Sequence, residues 1–417
     1  MNSDLSSEKP SSTTTKDHTS EKTEFARRSR LLPPIANLWR RLLLGFTSPA
    51  ADDTLTGQEA KKRRWRLVQV ESALECNLRC IMCPWKDFRA EARPHGIMGR
   101  EIWESLRPHL DEIQSVDFTG GGEPLLQPRL AEWIAEAKSF GCETGVLTNG
   151  TLLNEEKARE LISAGLNWIC VSIDGSTKEE YEKIRQGASF EKVCANLANI
   201  AKLRTNDIPL IMINFVMMPA NFHQVEDIVR LAAQLGADQV NFKQCEVIRS
   251  EHGKGRGLFG PRETKEIRLF QKSLARARGL AKKLKVRTTA SSFAPREIPV
   301  CEQDPMDSVF ISYEGKVAPC INLAYGGPTT FLGRDVNMPG VCYGKLPERD
   351  LIELWNDEAC AAFRERFRGR VKAYREVFLN GLMKGSHLTP DRLLEEALKK
   401  MPKAPEGCTV CHYLHGI

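Results

Sequence analysis

Short apolar stretches alternate with longer amphipathic stretches through the first two thirds of the chain. Each short stretch is enriched in β-branched or aromatic residues and is followed by a turn signal and a segment of helical periodicity. Near-continuous apolar character at strand length predicts parallel strands that are joined by crossover helices and buried on both faces. The pattern predicts six β/α units, with strands at residues 66–71, 115–119, 144–148, 168–173, 210–216 and 239–243.

The last third of the chain has a different pattern. Alternating apolar positions within 309–320 flank a Glu-Gly turn, which predicts a β-hairpin. Residues 351–355 and 370–405 predict further helices, with Thr389 as a cap in the second range. The insertion at about 370–405 is interpreted either as a lid over a substrate or as a dimer contact. Upstream, residues 262–287 predict an amphipathic helix with a solvated basic face.

Residues 1–60 are predicted to form a disordered tail and a basic amphipathic segment. The first part is rich in Ser, Thr, Lys and Glu, which is typical of disorder. Apolar residues at helical spacing beside clustered arginines then predict a basic amphipathic segment at 25–46. Two interpretations stay open, because such a segment either makes a peripheral contact with an anionic membrane surface or packs against the rest of the protein. No apolar stretch reaches the roughly 18 residues that a membrane span needs.

The length, cysteine content and net charge of the chain limit the classes of protein to which it can belong. The chain has 417 residues, 13 cysteines and a formal net charge of +6. Its length exceeds one average domain. So small a charge on so long a chain, without interleaved aromatic and basic residues, does not predict a nucleic-acid partner. Clustered thiols without a disulfide framework, and no signal peptide, predict a reducing, cytoplasmic location.

Three cysteines, Cys76, Cys80 and Cys83, follow the first predicted strand and open a loop. A 4Fe-4S cubane has four irons and is usually held by thiolates, so three thiolates leave one iron for a ligand that is not protein. The alternatives are a zinc knuckle or three unrelated buried cysteines. Zinc sites usually offer two close pairs of ligands, and no second pair follows Cys83 closely.

The x3 then x2 spacing after a first strand resembles the cluster loop of radical S-adenosylmethionine (SAM) enzymes. The resemblance implies a partial (β/α)6 TIM-like barrel over residues 61–290, in which SAM chelates the open iron of a 4Fe-4S cluster. It also implies cleavage of SAM by one electron to a 5′-deoxyadenosyl radical, which abstracts a hydrogen atom from a substrate. One departure from the family pattern is Met82, where an aromatic residue is more usual, and Trp85 is a candidate replacement.

Loops at the carboxyl ends of the predicted strands match further motifs of this family. Gly121, Gly122 and Glu123 match its GGE motif, and the resemblance implies that their backbone contacts the methionine amino group of SAM. The alternative is that these glycines only form a tight turn, because glycine is common both in tight turns and in loops that approach a ligand closely. At the end of the fourth strand, Ser172, with Asp174 nearby, matches a polar position that binds the ribose or the methionine carboxylate.

Arg185 lies in the stretch YEKIRQG, which resembles an arginine-containing stretch of the maturase-like branch of the family. The resemblance implies an ion pair between this planar side chain and the methionine carboxylate. The alternative is a solvated arginine on a helix surface, paired with Glu182.

A second set of cysteines lies beyond the predicted barrel. Cys301 and Cys320 flank the predicted hairpin, and Cys408 and Cys411 form a close pair near residue 417. With a glycine in the hairpin turn, this spacing resembles the SPASM/Twitch extension of the same superfamily in its single-cluster form. The resemblance implies a second 4Fe-4S cluster, in which four thiolates leave no iron open.

Two alternatives concern this second set. Zinc could bind Cys408 and Cys411 together with His412 or His415. Cys342, in a loop of the extension, either replaces one of the four ligands or is a bystander thiol. Cysteines within barrel elements are interpreted as packing residues.

Together these features predict an α/β protein, with a partial barrel at 61–290 followed by a Twitch/SPASM-like iron-sulfur domain at 291–417. The predicted function is a radical SAM oxidoreductase whose auxiliary 4Fe-4S cluster accepts an electron. Expected partners are a reductant, such as ferredoxin or flavodoxin, and a peptide, protein or small-molecule substrate. A non-catalytic iron-sulfur carrier or scaffold is the alternative from another class.

Overall fold

The structure is a computed structural model that describes residues 63–85, 96–245, 247–249, 253–259, 264–383 and 390–417. The predicted disordered tail, the basic segment at 25–46 and the predicted cap at Thr389 lie outside the described residues. Of the helices that it describes, none combines the length and the apolar character needed to cross a membrane.

The centre of the fold is a ten-stranded sheet in which seven parallel strands follow one another in chain order. These strands are β1 (Leu67–Val70), β2 (Ser115–Phe118), β3 (Glu143–Thr148), β4 (Trp168–Ser172), β5 (Leu210–Met217), β6 (Gln239–Gln244) and β7 (Arg287–Ala290). The six predicted strands are confirmed, each within one residue at either end. The sequence does not predict β7, since RTTA offers no apolar run, and this strand pairs with β6.

One of these strands, β5, buries one face and leaves the other face partly accessible. In β5, Ile211, Ile213 and Phe215 are fully buried, whereas the residues between them are partly exposed. The prediction of burial on both faces is therefore wrong for this strand. A partial barrel does not close tightly around its lumen, and Asn214 of β5 lines the cavity described below.

Helices connect the successive parallel strands. Asn154, Thr177 and Ser189 cap three of these helices, because each side chain accepts a hydrogen bond from a backbone N–H of the first turn. Another helix ends at Gly236, where φ is +75° and glycine costs least. The helices are α1 (Arg100–Leu106), α2 (Leu130–Ser139), α3 (Glu155–Ser163), α4 (Lys178–Ile184), α5 (Phe190–Leu203), α6 (Val225–Leu235) and α7 (Thr264–Lys283).

The last third of the chain continues the same sheet. β8 (Ser308–Ile311) pairs in parallel with β1 and forms an antiparallel hairpin with β9 (Lys316–Ala318), which confirms the predicted hairpin. Gly315 lies in the turn with φ of +84°, and a Cβ there would lie 2.2 Å from the Leu346 carbonyl oxygen, so the turn requires glycine. The other elements are α8 (Ile321–Tyr325), β10 (Gly327–Phe331), β11 (Arg334–Met338), β12 (Gly344–Lys345), α9 (Leu351–Asn356) and α12 (Glu406–Thr409).

The helical insertion is built on one long helix. α10 (Glu358–Met383) packs against α11 (Pro390–Lys400). Arg370 of α10 is 1% exposed and ties together the two segments that lead to Cys301 and Cys408. Its acceptors are the carbonyl oxygens of Ile298, Pro299 and Pro402 and a carboxylate oxygen of Glu297, at 2.6 to 3.1 Å.

Candidate active site

The first cysteine loop is fixed beyond the carboxyl end of β1. The N–H groups of Arg79 and Ile81 donate to the carbonyl oxygens of Gln186 and Ile184, both at 3.0 Å. These acceptors lie at and just beyond the end of α4, so the loop is held by the fourth β/α unit as well as by β1. The loop presents three thiols to one cavity, those of Cys76, Cys80 and Cys83.

Cys80 is buried, whereas Cys76 and Cys83 are half-buried. Burial raises the pKa of the Cys80 thiol to about 12, although the Arg185 guanidinium, 3.8 Å from the sulfur, lowers it. Negative charge on Cys83 and Cys76 raises this pKa further. A thiol in such a place ionises when a cationic centre replaces its proton. The loop therefore fits an iron-sulfur core, which carries that positive charge.

The GGE loop after β2 packs closely against the cysteine loop. The Gly121 N–H donates to Glu71 Oε1 at 2.7 Å. A Cβ on Gly122 would lie 2.2 Å from the Glu75 carbonyl oxygen, which leaves room only for glycine. The Glu123 N–H donates to that same carbonyl oxygen at 2.7 Å. The motif is therefore a close-approach loop at the cavity wall rather than only a tight turn.

The Glu123 carboxylate is buried and fully engaged by the protein. It accepts hydrogen bonds from Thr148 Oγ1 at 2.6 Å, from Asn149 N at 2.7 Å and from Leu125 N at 3.1 Å. Burial raises its pKa and these hydrogen bonds lower it. Glu123 thus holds the end of β3 against the GGE loop, and its backbone, not its carboxylate, is available to a ligand.

The polar residues that follow β4 have different positions. Ser172 lines the cavity, whereas Asp174 is fully buried behind it. The Asp174 carboxylate accepts hydrogen bonds from Arg185 Nε at 2.7 Å and from Val216 N at 2.6 Å. The alternative of a solvated Arg185 paired with Glu182 is wrong, because Arg185 is 8% exposed and pairs with Asp174. Asp174 therefore orients Arg185, which lines the cavity itself.

The second set of cysteines also comes together in the fold. Burial raises the pKa of the Cys408 thiol, and negative charge on Cys320, Cys301 and Cys411 raises it further. Each of the four sulfurs thus lies close enough to the others to affect their ionisation. Cys342 is exposed and donates to the backbone carbonyl two residues later, at 3.3 Å.

Backbone N–H groups donate to the sulfurs of the second set. Burial raises the pKa of Cys320 to about 12, and hydrogen bonds from the N–H groups of Leu323 and Asn322 lower it. Burial also raises the pKa of Cys411, and N–H groups two and three residues later lower it. Such donors favour the thiolate, which is the form that binds iron, and they tune cluster potentials. The donor set therefore fits an iron-sulfur cluster.

His412 and His415 have other partners. The Leu332 N–H donates to His412 Nε2 at 3.2 Å, and His415 Nδ1 lies 3.0 Å from the Cys411 carbonyl oxygen. These partners do not favour the zinc alternative. Across the described ranges, no group of three or more His, Cys, Asp or Glu side chains is arranged to hold a single metal ion.

One cavity of about 370 Å³ joins the two regions. On the barrel side it is lined by the first cysteine loop, the GGE loop, Ser172 and Arg185. It is also lined by His412 and Tyr413, which directly follow Cys411. The first cysteine set therefore opens into this cavity, and Cys411 of the second set is adjacent in sequence to residues that line it.

Glu71 and Trp85 make contacts near this cavity that the sequence does not predict. Glu71 accepts hydrogen bonds from Gly121 N, from Tyr313 N at 3.3 Å and from the Tyr325 hydroxyl, so it ties β1 to the extension. A carboxylate directly after a barrel strand is the signal that indicates such a residue. Trp85 lines the cavity, and its ring centroid lies 5.1 Å from that of Tyr325.

Comparison with known families shows which superfamily the chain belongs to. A family model described as the radical SAM superfamily matches residues 70–232, and one described as an iron-sulfur cluster-binding domain, SPASM, matches residues 301–376. The chain belongs to the radical SAM superfamily. The first match includes the cysteine loop, the GGE loop and Arg185, and the second includes Cys301 but ends before Cys408.

Curated relatives of this radical SAM protein carry several different names. The tungsten-containing aldehyde ferredoxin oxidoreductase cofactor-modifying protein of Pyrococcus furiosus is 25% identical over 306 residues, which covers 72% of this chain and 83% of the relative. The AdoMet-dependent heme synthase of Methanosarcina barkeri is 31% identical over 177 residues. That second match covers 41% of this chain and 48% of the relative, so it spans about half of the heme synthase.

Solved structures share the radical SAM fold with this chain. Streptococcus suis SuiB bound to S-adenosylmethionine has a TM-score of 0.53 at 14% identity, over 84% of this chain and 74% of SuiB. Native anSMEcpe with bound AdoMet has a TM-score of 0.54 at 18% identity, over 72% of this chain and 83% of that protein. These likenesses show the fold, and together with the two family models they confirm the predicted partial barrel with an iron-sulfur extension.

The protein is therefore a radical SAM enzyme with a SPASM-type extension. Its cofactors are SAM and 4Fe-4S clusters, as the two family models indicate. The alternative of a non-catalytic carrier is not supported, since the named relatives include a synthase and a cofactor-modifying protein.

Proposed function

We propose that this radical SAM enzyme oxidises its substrate by hydrogen-atom abstraction followed by electron transfer to an auxiliary cluster. When bound, SAM and the reduced 4Fe-4S cluster supply the 5′-deoxyadenosyl radical that abstracts the hydrogen atom. The observation that carries the proposal is the shared cavity. Cys76, Cys80 and Cys83 line it, and so do His412 and Tyr413, which follow the second cysteine set.

In this proposal the first cysteine loop holds three irons and leaves the fourth to SAM. The backbone of Gly121 and Gly122 and the side chains of Ser172 and Arg185 hold the methionine end of SAM. Arg185 suits a carboxylate because Asp174 fixes its Nε while the rest of the planar guanidinium borders the cavity. Asp174 contributes by orienting Arg185 rather than by touching SAM.

The second cysteine set, in this proposal, holds the auxiliary 4Fe-4S cluster. Cys301, Cys320, Cys408 and Cys411 provide four thiolates, which occupy all four irons, so this group exchanges electrons rather than binding substrate. The net reaction is then an oxidation or a bond-forming cyclisation. The assignment of the closing pair is supported by the mutual influence of the four sulfurs.

The walls of the cavity support a substrate with polar groups. Lys243 of β6 lines the cavity and pairs with Glu302 at 3.2 Å, and Gln244 and Asn214 line it nearby. Two similar solved structures are titled as SuiB bound to precursor peptide SuiA and as anSMEcpe with Cp18Cys peptide. The Pyrococcus furiosus relative is named for modifying a cofactor. The proposal therefore covers peptide, protein and small-molecule substrates.

The proposed reductant is a ferredoxin or flavodoxin, in the cytoplasm. A peripheral membrane contact through residues 25–46 stays a prediction.

Anaerobic reconstitution tests the proposed function. The wild-type protein is expected to bind about eight irons per chain, as two 4Fe-4S clusters require. With dithionite and SAM it is expected to produce 5′-deoxyadenosine. A protein that carries both clusters but forms no 5′-deoxyadenosine would contradict the proposal.

Matched cysteine variants separate the two sets. Cys80→Ala is expected to abolish 5′-deoxyadenosine formation. Cys320→Ala is expected to reduce the iron content to about four per chain while dithionite still drives SAM cleavage. Equal effects of the two substitutions on SAM cleavage would contradict the division of roles.

A further inference from the structure

Arg249 lies between the two cysteine sets. It follows β6, and its guanidinium carbon lies 5.1 Å from the centroid of the Trp85 ring, a distance at which a cation and an indole attract. Trp85 lines the cavity two residues after Cys83. One side of Arg249 therefore contacts the wall that belongs to the first cysteine loop.

The other side of Arg249 is anchored to the helix that carries Cys320. Its Nη2 donates to the Asn322 carbonyl oxygen at 3.1 Å, and its Nη1 donates to the Gly326 carbonyl oxygen. Both carbonyls belong to α8 or its end, and α8 begins directly after Cys320. Carbonyl groups at the end of a helix carry partial negative charge, so they hold a guanidinium in place.

The charge of Arg249 affects the ionisation of two cysteines of the second set. Burial lowers its pKa to about 10, and negative charge on Cys320 and Cys411 raises it, so the guanidinium stays protonated at neutral pH. In return, Arg249 lowers the pKa of Cys320 and of Cys411. Arg249 also donates to the carbonyl oxygen of Asn322, two residues after Cys320, so a fixed positive charge lies close to the second set.

We infer that Arg249 raises the reduction potential of the auxiliary cluster and so favours the arrival of an electron there. A cubane held by four thiolates is negatively charged, and reduction adds one more negative charge. A fixed cation nearby stabilises the reduced state more than the oxidised state, most strongly where water is partly excluded. This inference rests on the proposed function.

The proposed oxidation of the substrate supplies one electron to the auxiliary cluster. The substrate loses a hydrogen atom by abstraction, and the resulting substrate radical then loses one electron and one proton. The electron passes to the auxiliary cluster, which is thereby reduced by one electron. A higher reduction potential of the auxiliary cluster makes the loss of this electron from the substrate radical more favourable.

An electrochemical titration of the full-length protein tests the inference. Cys76→Ala, Cys80→Ala and Cys83→Ala are combined in the parent protein, so that only the auxiliary cluster contributes to the electron paramagnetic resonance (EPR) signal. Adding Arg249→Gln is expected to lower the equilibrium constant for reduction at least about tenfold, which is 59 mV for one electron. Arg249→Lys, which keeps the charge, is expected to stay near the parent value.

Arg204→Gln provides a matched control. Arg204 donates to the Asp238 carboxylate and to the carbonyl oxygens of Pro209 and Gly236, on the side of the sheet where β5 and β6 begin. It is an extensively hydrogen-bonded arginine like Arg249, but it lies at the end of the barrel opposite the cavity. Its substitution is expected to leave the potential unchanged.

Three results would overturn the inference while leaving the proposed function intact. They are an unchanged potential in Arg249→Gln, an equal decrease in Arg249→Gln and Arg249→Lys, and loss of the auxiliary iron in Arg249→Gln, which would make its role structural. A parent protein that binds no iron at the second set would instead contradict the proposed function itself, and this inference with it.

Discussion

The first cysteine set lines the cavity and the second lies near it, and the two sets are built in different ways. The first set, from Cys76 to Cys83, lies in one loop at the end of one strand. The second set, from Cys301 to Cys411, needs a hairpin, α8, α12 and the long helix α10. Arg370 of α10 bonds the segment that leads to Cys301 and the segment that leads to Cys408. The spacing of the first set is therefore a local property of the backbone, whereas that of the second depends on tertiary packing.

The charges beside the two sets differ as well. Arg185, beside Cys80, pairs with the buried carboxylate of Asp174. Arg249, beside Cys320, donates to neutral carbonyl oxygens of α8 and its end. A balanced pair suits the orientation of a cosubstrate, whereas a cation held by carbonyl groups acts through its charge. This difference supports the proposed roles of the first set in binding SAM and of the second set in electron transfer.

The largest expected effect concerns Arg185. Arg185→Met leaves Asp174 buried without its cation, which costs about 3–5 kcal/mol, and removes the proposed partner of the SAM carboxylate. We expect the rate of 5′-deoxyadenosine formation to fall roughly 100- to 1,000-fold. Initial rates across SAM concentrations, with iron content measured in parallel, test this expectation.

The double variant Arg185→Met with Asp174→Asn is the control for misfolding. Asp174→Asn removes the buried negative charge that Arg185→Met leaves unpaired. The iron content of the double variant should therefore match that of the wild-type protein, while SAM cleavage stays slow. A rate within threefold of wild type in Arg185→Met would contradict the proposed role of this side chain.

The next effect concerns the assembly of the second set. Arg370→Met leaves buried carbonyl oxygens without their donor, and we expect the free energy of unfolding to fall by about 3 kcal/mol. We also expect about four irons per chain to be lost, while dithionite-driven SAM cleavage persists. Iron analysis and denaturant unfolding under anaerobic conditions measure both quantities.

Arg204→Met is the matched control for Arg370→Met. It removes a comparably bonded arginine from the barrel, so it should destabilise the fold without loss of iron. If Arg370→Met kept its full iron content, the second set would not depend on the insertion.

A smaller effect concerns the pH dependence of stability. Burial raises the pKa of Glu71 and of Asp117 to about 7. At these two groups the folded protein therefore binds more protons than the unfolded chain between about pH 4 and pH 7. Their contribution to stability is largest below this window and is lost as the pH rises through it.

Glu71→Gln tests this dependence at the residue that joins the GGE loop to the extension. Each unit of pKa shift is worth about 1.4 kcal/mol, so the change in stability between pH 5 and pH 8 should shrink by on the order of 2 kcal/mol. Denaturant unfolding at both pH values measures it, and Glu104→Gln at an exposed site is the control. Equal pH dependence in wild type and Glu71→Gln would show that Glu71 is not the titrating group.

The smallest expected effect concerns Cys342. This thiol is exposed, so Cys342→Ser should change the free energy of unfolding by less than about 0.5 kcal/mol and leave the iron content unchanged. Loss of iron in this variant would show that the four proposed ligands of the second set are wrongly chosen.

Much of the fold can be predicted from the sequence, because buried parallel strands require apolar runs of fixed length. This is why β1 to β6 are located within one residue. The first cysteine set is equally evident, since its three cysteines are close in sequence. The sequence does not predict the edge strand β7, because an edge strand needs no apolar run. It also does not predict the pairing of β8 with β1, because no local signal specifies a distant neighbour.

The remaining part of the candidate site depends on contacts between distant residues. Asp174 is adjacent to a matched motif, yet its carboxylate is committed to Arg185 and to a backbone N–H of β5. Arg249 is one arginine among many in the sequence, and only its packing against Trp85 and α8 distinguishes it. Spacing along the chain can identify ligands, but it cannot identify the side chains that orient or polarise them.

The most direct test of the central claim is an EPR spectrum of the dithionite-reduced, reconstituted protein, recorded with and without SAM. Two 4Fe-4S signals are predicted, of which one changes when SAM is added and is absent from Cys80→Ala, while the other is absent from Cys320→Ala. A single signal, or two signals that both ignore SAM, would contradict the assignment of one open and one fully ligated cluster beside the same cavity.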